Sequence, residues 1–135
     1  MADNVASVEQ MYDDFAKGDV AAVLTVCDER IEWYEAEGNP YGDDAPVLVG
    51  PQQVLEKVFL RIPQDYDGFT IHLKRVVGLG DTVLVEARYT ATGKATGLPL
   101  DAQVAHIWDF SSGKVVRFQQ YADTAQLRAV LGVSA

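Results

Sequence analysis

The chain has 135 residues, of which 20 are acidic and 11 are basic, so its formal net charge at pH 7 is −9. That length predicts a single domain over residues 1–135, and the hydrophobic fraction of 48% excludes disorder along the whole chain. The acidic balance argues against nucleic-acid and anionic-membrane partners, which need clustered Lys and Arg. No apolar stretch reaches the ~20 residues of a membrane-spanning helix.

Two features of the sequence bear on the compartment. The first ten residues, MADNVASVEQ, contain neither a basic region nor a long apolar run, so we expect no signal peptide. Cys27 is the one cysteine and cannot form an internal disulfide, which is typical of a reducing environment. The sequence therefore predicts a cytoplasmic protein, in which Cys27 packs on an apolar helical face rather than reacting.

The first elements in chain order are two predicted helices. Over residues 3–17 the apolar positions recur every three or four residues, which is typical of a helix with one buried face. Gly18 follows at the expected C-terminal cap, and Asp19 is the expected N-cap of a second helix over residues 20–27. Together they predict a helical hairpin.

The periodicity changes to two at Arg30, which predicts a strand that ends near Tyr34. Residues 36–50 hold three Gly and two Pro and predict a long loop, a feature that often borders a functional site. Pro51 is well placed to begin a third helix, and Pro63 to end it.

Alternating apolar residues then predict four antiparallel strands, joined by turns at 78–81, 92–97 and 111–113. Asp123 or Thr124 is the expected cap of a last short helix through Leu131. The order helix, helix, strand, helix and four-strand meander predicts an α+β fold, with one sheet and helices on one of its faces.

The sequence lacks the motifs of metal binding, of dinucleotide and phosphate binding, and of a nucleophile elbow. The chain has only two histidines, His72 and His106, and neither has a partner at metal-ligand spacing. The glycines at 78 and 80 precede a strand rather than a helix, so they form a turn and not a dinucleotide loop. No nucleophile elbow or P-loop is present. We therefore expect neither a metal nor a cofactor.

The informative position is His106, a polar residue on the apolar face of a predicted strand. Leu100, Ala102, Val104, Trp108 and Phe110 share that face. A buried imidazole needs a hydrogen-bond partner, so one interpretation is a core histidine satisfied by a carboxylate or a tyrosine. The other is a general acid/base or ligand-orienting donor at the floor of a cavity, because histidine titrates near neutral pH.

Two further candidates, Tyr34 and Glu35, end the first strand where the chain enters the long loop. Glu35 could serve as a base if burial raises its pKa, or it could be a solvated surface residue. Tyr34 is either a hydrogen-bond donor in a pocket or an ordinary strand aromatic. Seven aromatic residues would line such a pocket if the sheet is strongly curved: Tyr12, Phe15, Trp33, Phe59, Tyr89, Trp108 and Phe118.

Short segments spread over nearly the whole chain carry a family resemblance. They are GD at 18–19, IEWY at 31–34, VGP at 49–51, TG at 96–97, HIWDF at 106–110, GKV at 113–115 and YADT at 121–124. In this order the chain resembles the SnoaL-like polyketide cyclases and ketosteroid-isomerase-related proteins, which share the nuclear-transport-factor-2-like, cystatin-like fold. The resemblance implies a cone of curved, mixed or antiparallel sheet wrapped around N-terminal helices, with one apolar pocket.

The catalytic positions of ketosteroid isomerases do not carry over. Their carboxylate base aligns with Tyr34, with Glu35 adjacent, and their oxyanion-hole tyrosine aligns with Met11, with Tyr12 beside it. Their protonated aspartate, whose role is a standard example of pKa tuning, aligns with His106. Steroid isomerisation is therefore not expected. The SnoaL-type cyclases are more similar around His106.

The leading hypothesis is a protein that encloses a hydrophobic small molecule. If it is an enzyme, the resemblance implies cofactor-free proton transfer next to a carbonyl, in an isomerisation, cyclisation or dehydration. His106 would be the acid/base, Glu35 a second base, and Tyr34 or Tyr12 a donor to the enolate oxygen.

Two other interpretations remain open. One is a binding module without chemistry. In the other, the domain works through its sheet and forms a homodimer, as many relatives do. Val115, Ile107 and Tyr121 would then form an outward-facing apolar patch.

Overall fold

The structure is a computed structural model and describes residues 3–134. Its helices are α1 (Asn4–Ala16), α2 (Val20–Thr25), α3 (Pro51–Val54), α4 (Ile62–Asp65) and α5 (Thr124–Leu131), with a 3-10 turn at Pro40–Gly42 and a π-helical turn at Leu55–Phe59. Its strands are β1 (Cys27–Tyr34), β2 (Leu48–Val49), β3 (Tyr66–Leu79), β4 (Thr82–Gly93), β5 (Pro99–Ser111) and β6 (Lys114–Ala122).

The six strands form one curved open sheet in the order β2-β1-β6-β5-β4-β3. The last four are the predicted antiparallel meander, and β1 joins it by pairing with β6 in parallel. Helix α1 packs on β3 and β4, and α5 packs on β4 and β5. The predicted α+β class and the curved mixed sheet with its N-terminal helices are confirmed.

The predicted N-caps of α2 and α5 are also confirmed, and α1 has a cap of the same kind. The carboxylates of Asp3, Asp19 and Asp123 accept the backbone N–H three residues ahead, at the starts of α1, α2 and α5. Gly18 has a φ of +80°, so it reverses the chain between α1 and α2 in a conformation that disfavours other residues.

The second helix is shorter than predicted, and Cys27 is not part of it. Helix α2 ends at Thr25, and Cys27 begins β1, where it pairs with Val115. The chain joins the sheet already at Val26, because the backbone N–H of Val115 in β6 donates to the carbonyl of Val26, at 2.9 Å. Cys27 is buried, as expected of a packing residue. The cytoplasmic location predicted from it stays a prediction.

The prediction that Pro63 ends the third helix is wrong. The segment that begins at Pro51 passes through the π-helical turn, in which the N–H of Leu60 bonds to the carbonyl of Leu55 at 2.9 Å. Pro63 then lies in the first turn of α4. A helix tolerates proline there because the first turn leaves its N–H groups without internal acceptors.

The outward orientation expected of Val115 is wrong as well. Val115 is fully buried, because the pairing of β5 with β6 shifts register between Asp109 and Phe110. Such an irregularity changes which residues of a strand face the core. Tyr121 is exposed and Ile107 is half-buried, so the apolar patch of the outer face loses one of its three predicted members.

Gly93, at the end of β4, is a position where a side chain does not fit. A Cβ atom there would clash with the carbonyl oxygen of Val130 in α5. We expect Gly93→Ala to destabilise the protein by about 1–3 kcal/mol or more, because α5 must move off the sheet. Chemical denaturation measures this loss.

The matched control for Gly93→Ala is Gly42→Ala. Gly42 has no positive φ, and a Cβ there would lie at an ordinary contact distance of 3.5 Å from the Cβ of Glu35. Equal and small losses of stability in both variants would contradict the close packing of α5 on β4.

Candidate functional site

A cavity lies between α1, the π-helical turn and the inner face of the sheet. The cavity volume is about 70 Å³. Side chains on its wall that keep partial exposure mark the mouth: Phe15, Phe59, Ile62, Phe69 and Ile71. The enclosed, mostly aromatic wall is typical of a small-molecule site.

All seven aromatic residues predicted to line a pocket do line this cavity: Tyr12, Phe15, Trp33, Phe59, Tyr89, Trp108 and Phe118. Their contact with a ligand stays a prediction. The sequence analysis missed other lining residues, above all Asn39, Tyr41, Tyr66, Phe69 and Gln120. The alternating pattern of its strand could have placed Phe69 on the inner face. Asn39 and Tyr41 come from the long loop, which has no periodicity that predicts their position.

His106 lies in the wall of the cavity between two tyrosines. Its Nδ1 is hydrogen-bonded to the hydroxyl of Tyr12 and its Nε2 to the hydroxyl of Tyr89, each at 2.5 Å. The three residues come from α1, β4 and β5, and the curved sheet brings them together. His106 is only 3% exposed, so both bonds are shielded from water.

The hydrogen bonds continue beyond both tyrosines. The indole Nε1 of Trp108 donates to the hydroxyl of Tyr12, and the amide Nε2 of Gln120 donates to that of Tyr89, each at 3.0 Å. The Gln120 Oε1 accepts from Nδ2 of Asn39 at 2.7 Å. These links tie the loop after β1 to the sheet.

Burial keeps this network uncharged. It lowers the pKa of His106 to about 3, so the imidazole is neutral at physiological pH. Burial also raises the pKa of Tyr12 and of Tyr89 well above the usual range, so both hydroxyls stay protonated. A neutral imidazole with both nitrogens engaged does not fit the predicted role of His106 as the acid/base. The structure agrees with the interpretation of a buried histidine whose ring nitrogens are hydrogen-bonded to tyrosines, and this histidine lies in the wall of a cavity.

Glu35 projects into the cavity one residue after the end of β1, next to the inward-facing Trp33. The residue as a whole keeps partial exposure, but its Oε2 is fully covered. Among residues 3–134, neither this oxygen nor the indole Nε1 of Trp33 has a hydrogen-bond partner. Burial raises the pKa of Glu35 to about 7, while the nearby Trp33 N–H and the positive charge of Arg61 offset part of the rise.

Tyr34 lies outside the cavity. Strand alternation places it on the opposite face from Trp33, where its hydroxyl donates to Glu32 at 2.9 Å and its ring lies under the guanidinium of Arg117, at 4.6 Å. Because Tyr34 is not on the cavity wall, the structure does not support its expected role as a donor to a ligand.

A second cluster lies behind Glu35, at the side of the cavity formed by α4. The guanidinium carbon of Arg61 lies 4.2 Å from the centre of the Tyr41 ring, and the Tyr41 hydroxyl donates to Asp65 at 2.8 Å. Arg61 forms none of the ion pairs found between residues 3 and 134. Its positive charge acts on Glu35 and also on the Tyr41 hydroxyl, where the carboxylate of Asp65 opposes it.

Within residues 3–134, no group of three or more His, Cys, Asp or Glu side chains is placed to hold a metal ion. None of the helices in that range is long and apolar enough to cross a membrane.

The raised pKa of Glu35 makes stability depend on pH. In the unfolded chain this carboxyl titrates near ~4.3, and in the folded protein at about 7. The folded state therefore binds the proton more tightly, and the stability gained from it is full below pH ~4.3 and lost as the pH rises to ~7. We expect Glu35→Gln to be more stable than the wild type at pH 8 by up to about 3 kcal/mol, and similar at pH 4.

Denaturation at a series of pH values measures this difference. Glu32→Gln is the matched control, because Glu32 is exposed on the same strand. If the free energy of unfolding changed with pH in the same way in the wild type and in Glu35→Gln, the burial of the Glu35 carboxyl would be contradicted.

A model of the SnoaL-like domain family matches residues 8–118, and the chain belongs to that family. A nuclear-transport-factor-2-like protein from Burkholderia thailandensis has a similar structure, with a TM-score of 0.90, 30% identity, and coverage of 97% of this chain and 98% of that chain. The search of curated proteins found no match.

Two more distant structures share the fold. TerC, crystallised with polyporic acid, has a TM-score of 0.84 and 19% identity, with 97% of this chain and 99% of that chain covered. IdmH from Streptomyces antibioticus, a proposed polyketide cyclase, has a TM-score of 0.79 and 17% identity, with 98% and 100% covered. At these identities the likeness establishes the fold alone, and a fold hosts many functions.

Proposed function

We propose that the protein binds a hydrophobic carbonyl compound in its cavity and catalyses cofactor-free proton transfer next to the carbonyl. The observation that carries this proposal is Glu35, a carboxyl with a covered and unpartnered oxygen in an aromatic wall. Burial poises its pKa at about 7, where a carboxylate is both present and basic enough to remove a proton.

The proposed step needs a base and a hydrogen-bond donor. The carboxylate of Glu35 takes a proton from the carbon next to the carbonyl, the C–H electron pair becomes the C=C bond of an enolate, and the carbonyl oxygen gains the negative charge. A hydroxyl of the cavity wall, from Tyr12 or Tyr89, stabilises that oxygen. Return of the proton at another carbon completes an isomerisation. Departure of a β-hydroxyl as water, which carries away the proton that Glu35 took, completes a dehydration.

Two of the similar structures support the ligand class. TerC was crystallised with polyporic acid, and IdmH is a proposed polyketide cyclase. Both names refer to oxygen-bearing carbon compounds, the class that we propose for this cavity. The particular substrate is not implied by either.

Deuterium exchange tests the proposal. The protein is incubated in deuterated water with a panel of hydrophobic ketones, and mass spectrometry follows the label entering the carbon next to the carbonyl. We expect catalysed exchange that grows as the pH rises through about 7, since the carboxylate of Glu35 is the active form. Ketones that bind without any catalysed exchange would contradict the enzymatic function.

A binding module without chemistry is the second candidate. It is favoured by the hydrogen bonds of His106, Tyr12, Tyr89 and Gln120, which are already formed within the protein. A module of this kind would bind apolar ligands with equal affinity in the wild type and in Glu35→Gln, and convert none of them.

We also propose that the protein forms a homodimer through the outer face of its sheet. Ile107 and the exposed Tyr121 support a smaller patch than the sequence suggested, since Val115 is buried. Size-exclusion chromatography with light scattering tests this proposal, and a strict monomer at micromolar concentration would contradict it.

A further inference from the structure

Two buried polar atoms of the cavity wall lack a hydrogen-bond partner within the described range 3–134. They are the indole Nε1 of Trp33 and the carboxyl Oε2 of Glu35, and no other fully covered side-chain nitrogen or oxygen in that range is left unpaired. Trp33 and Glu35 are two residues apart at the end of β1, and both line the cavity. An unpaired buried polar group is costly and rare in native proteins, so a donor and an acceptor left unpaired on one wall need an explanation.

The indole of Trp33 cannot turn its N–H toward another acceptor. Its ring stacks on that of Phe118, with 3.9 Å between the ring centres, and meets the rings of Phe59 and Trp108 nearly at right angles, at 5.7 and 5.8 Å. Such close packing holds a side chain in one rotamer. The N–H of Trp33 is therefore a donor with a fixed direction in the cavity wall.

The carboxyl of Glu35 lies close to this donor. The backbone that follows it is fixed, because the N–H of Ala36 donates to Oε1 of Gln120 at 3.2 Å. The Trp33 N–H is near enough to lower the pKa of Glu35, yet the indole Nε1 and Oε2 form no hydrogen bond with each other. The space between donor and acceptor therefore suits a third group that bonds to both.

Few chemical groups can bond to an indole N–H and a carboxylate at once. The N–H only donates, so the third group must offer an acceptor, and the carboxylate only accepts, so the group must also offer a hydrogen. A ketone or an ether has no hydrogen to donate, an ammonium has no acceptor, and a second carboxylate would place like charges together. A hydroxyl combines the acceptor and the hydrogen on one atom.

We propose that the ligand of this cavity carries a hydroxyl group that binds between Trp33 and Glu35, accepting from the indole N–H and donating to Oε2. Trp33 is then the residue that selects hydroxylated ligands. The placement of the ligand in this cavity rests on the proposed function, which the hydroxyl narrows to hydroxylated carbonyl compounds. Because a carboxylate has two oxygens, a hydroxyl at Oε2 leaves Oε1 to take the carbon-bound proton.

Nitrogen-15 NMR of the wild-type protein tests the contact, because the chain has two tryptophans and therefore two indole N–H signals. Phenol is the probe, and toluene, in which a methyl group replaces the hydroxyl, is its control. The titration is made at pH 8, above the pKa of about 7 of Glu35. We expect phenol, but not toluene, to move the Trp33 indole proton to lower field. The Trp108 signal should respond alike to both, since its N–H already donates to Tyr12.

Two outcomes of the titration would overturn the proposal. One is a protein that does not bind phenol. The other is a Trp33 signal that responds alike to phenol and toluene, as it would if a water molecule and not the ligand bridged the two side chains. The signals are assigned with Trp33→Phe, in which only the Trp108 indole remains.

The ratio of the dissociation constants of toluene and phenol tests the selectivity. We expect Trp33→Phe to reduce the preference for phenol by about three- to tenfold, the usual effect of losing one neutral hydrogen bond. The smaller ring affects both probes, so the ratio isolates the N–H. Trp108→Phe is the matched control and should leave the ratio unchanged. An unchanged ratio in Trp33→Phe, or an equal fall in Trp108→Phe, would overturn the assignment.

These measurements need no turnover, so their outcome is separate from that of the deuterium-exchange experiment. Catalysed exchange without a preference for phenol would overturn the hydroxyl site and leave the proposed proton transfer in place. A preference for phenol that depends on Trp33, without catalysed exchange, would support the hydroxyl site and contradict the proton transfer.

Discussion

Replacing Glu35 by Gln should lower the rate of deuterium exchange into a bound ketone by about 10²- to 10⁴-fold, the usual contribution of a general base. The amide keeps the size of the side chain but cannot take a proton. Ligand affinity should change little, because the cavity wall is mostly aromatic. Exchange rates and dissociation constants measured on the same ketone separate these two effects.

Glu32→Gln is the matched control for the exchange experiment. Glu32 lies three residues earlier on β1 and is exposed, with its carboxylate bonded to Tyr34 outside the cavity. It should exchange at the wild-type rate. A Glu35→Gln variant with full activity would contradict the assignment of the base, and an equal loss in Glu32→Gln would show that the effect is not specific to the cavity.

The second large effect is expected on stability. His106→Ala should destabilise the protein by about 3–5 kcal/mol, because it leaves a cavity and removes one partner from each of two buried tyrosine hydroxyls. His106 is almost fully buried and lies within 5.0 Å of Phe118, ring centre to ring centre. Chemical denaturation at pH 7 measures the loss.

His72→Ala is the control for the histidine experiment. His72 is exposed on β3, and within residues 3–134 its side chain bonds only to the hydroxyl of Thr90, so its loss should cost less than about 0.5 kcal/mol. A His106→Ala variant that is as stable as the wild type but inactive would contradict the structural role. It would restore the histidine as the acid/base.

The sequence predicted the fold well where short-range rules determine it. The caps at Asp19 and Asp123 and the four-strand meander follow from local hydrogen bonding and alternation. The family resemblance implied the curved, mixed or antiparallel sheet, but not which strand pairs with β1. The parallel pairing of β1 with β6 joins segments far apart in the chain. No local pattern encodes such a pairing.

The errors occurred where long-range packing overrides local pattern. Cys27 continues an apolar helical stripe in sequence, yet pairing with β6 makes it a strand residue. Val115 was placed by strict alternation, which a register shift in β5 and β6 breaks. Proline at position 63 predicts the end of a helix, although the first turn of another helix suits proline equally well.

The candidate site was only partly predictable. His106 was identified because a polar residue on an apolar strand face needs partners, but its partners Tyr12 and Tyr89 lie 94 and 17 residues away. Whether Glu35 faces inward depends on one residue of strand register, which the sequence alone cannot fix. Gln120 and Asn39 had no signal, because their role comes from hydrogen bonds between the loop after β1 and the sheet.

A carbon NMR titration of the Glu35 side-chain carboxyl tests the central claim most directly. Selective labelling of glutamate, with Glu35→Gln to assign the signal, isolates this group in the folded protein. We expect a midpoint at about 7, because burial in an aromatic wall disfavours the carboxylate. A midpoint near ~4.3, the value of a solvated glutamate, would show that Glu35 is not poised as a base and would contradict the proposed chemistry.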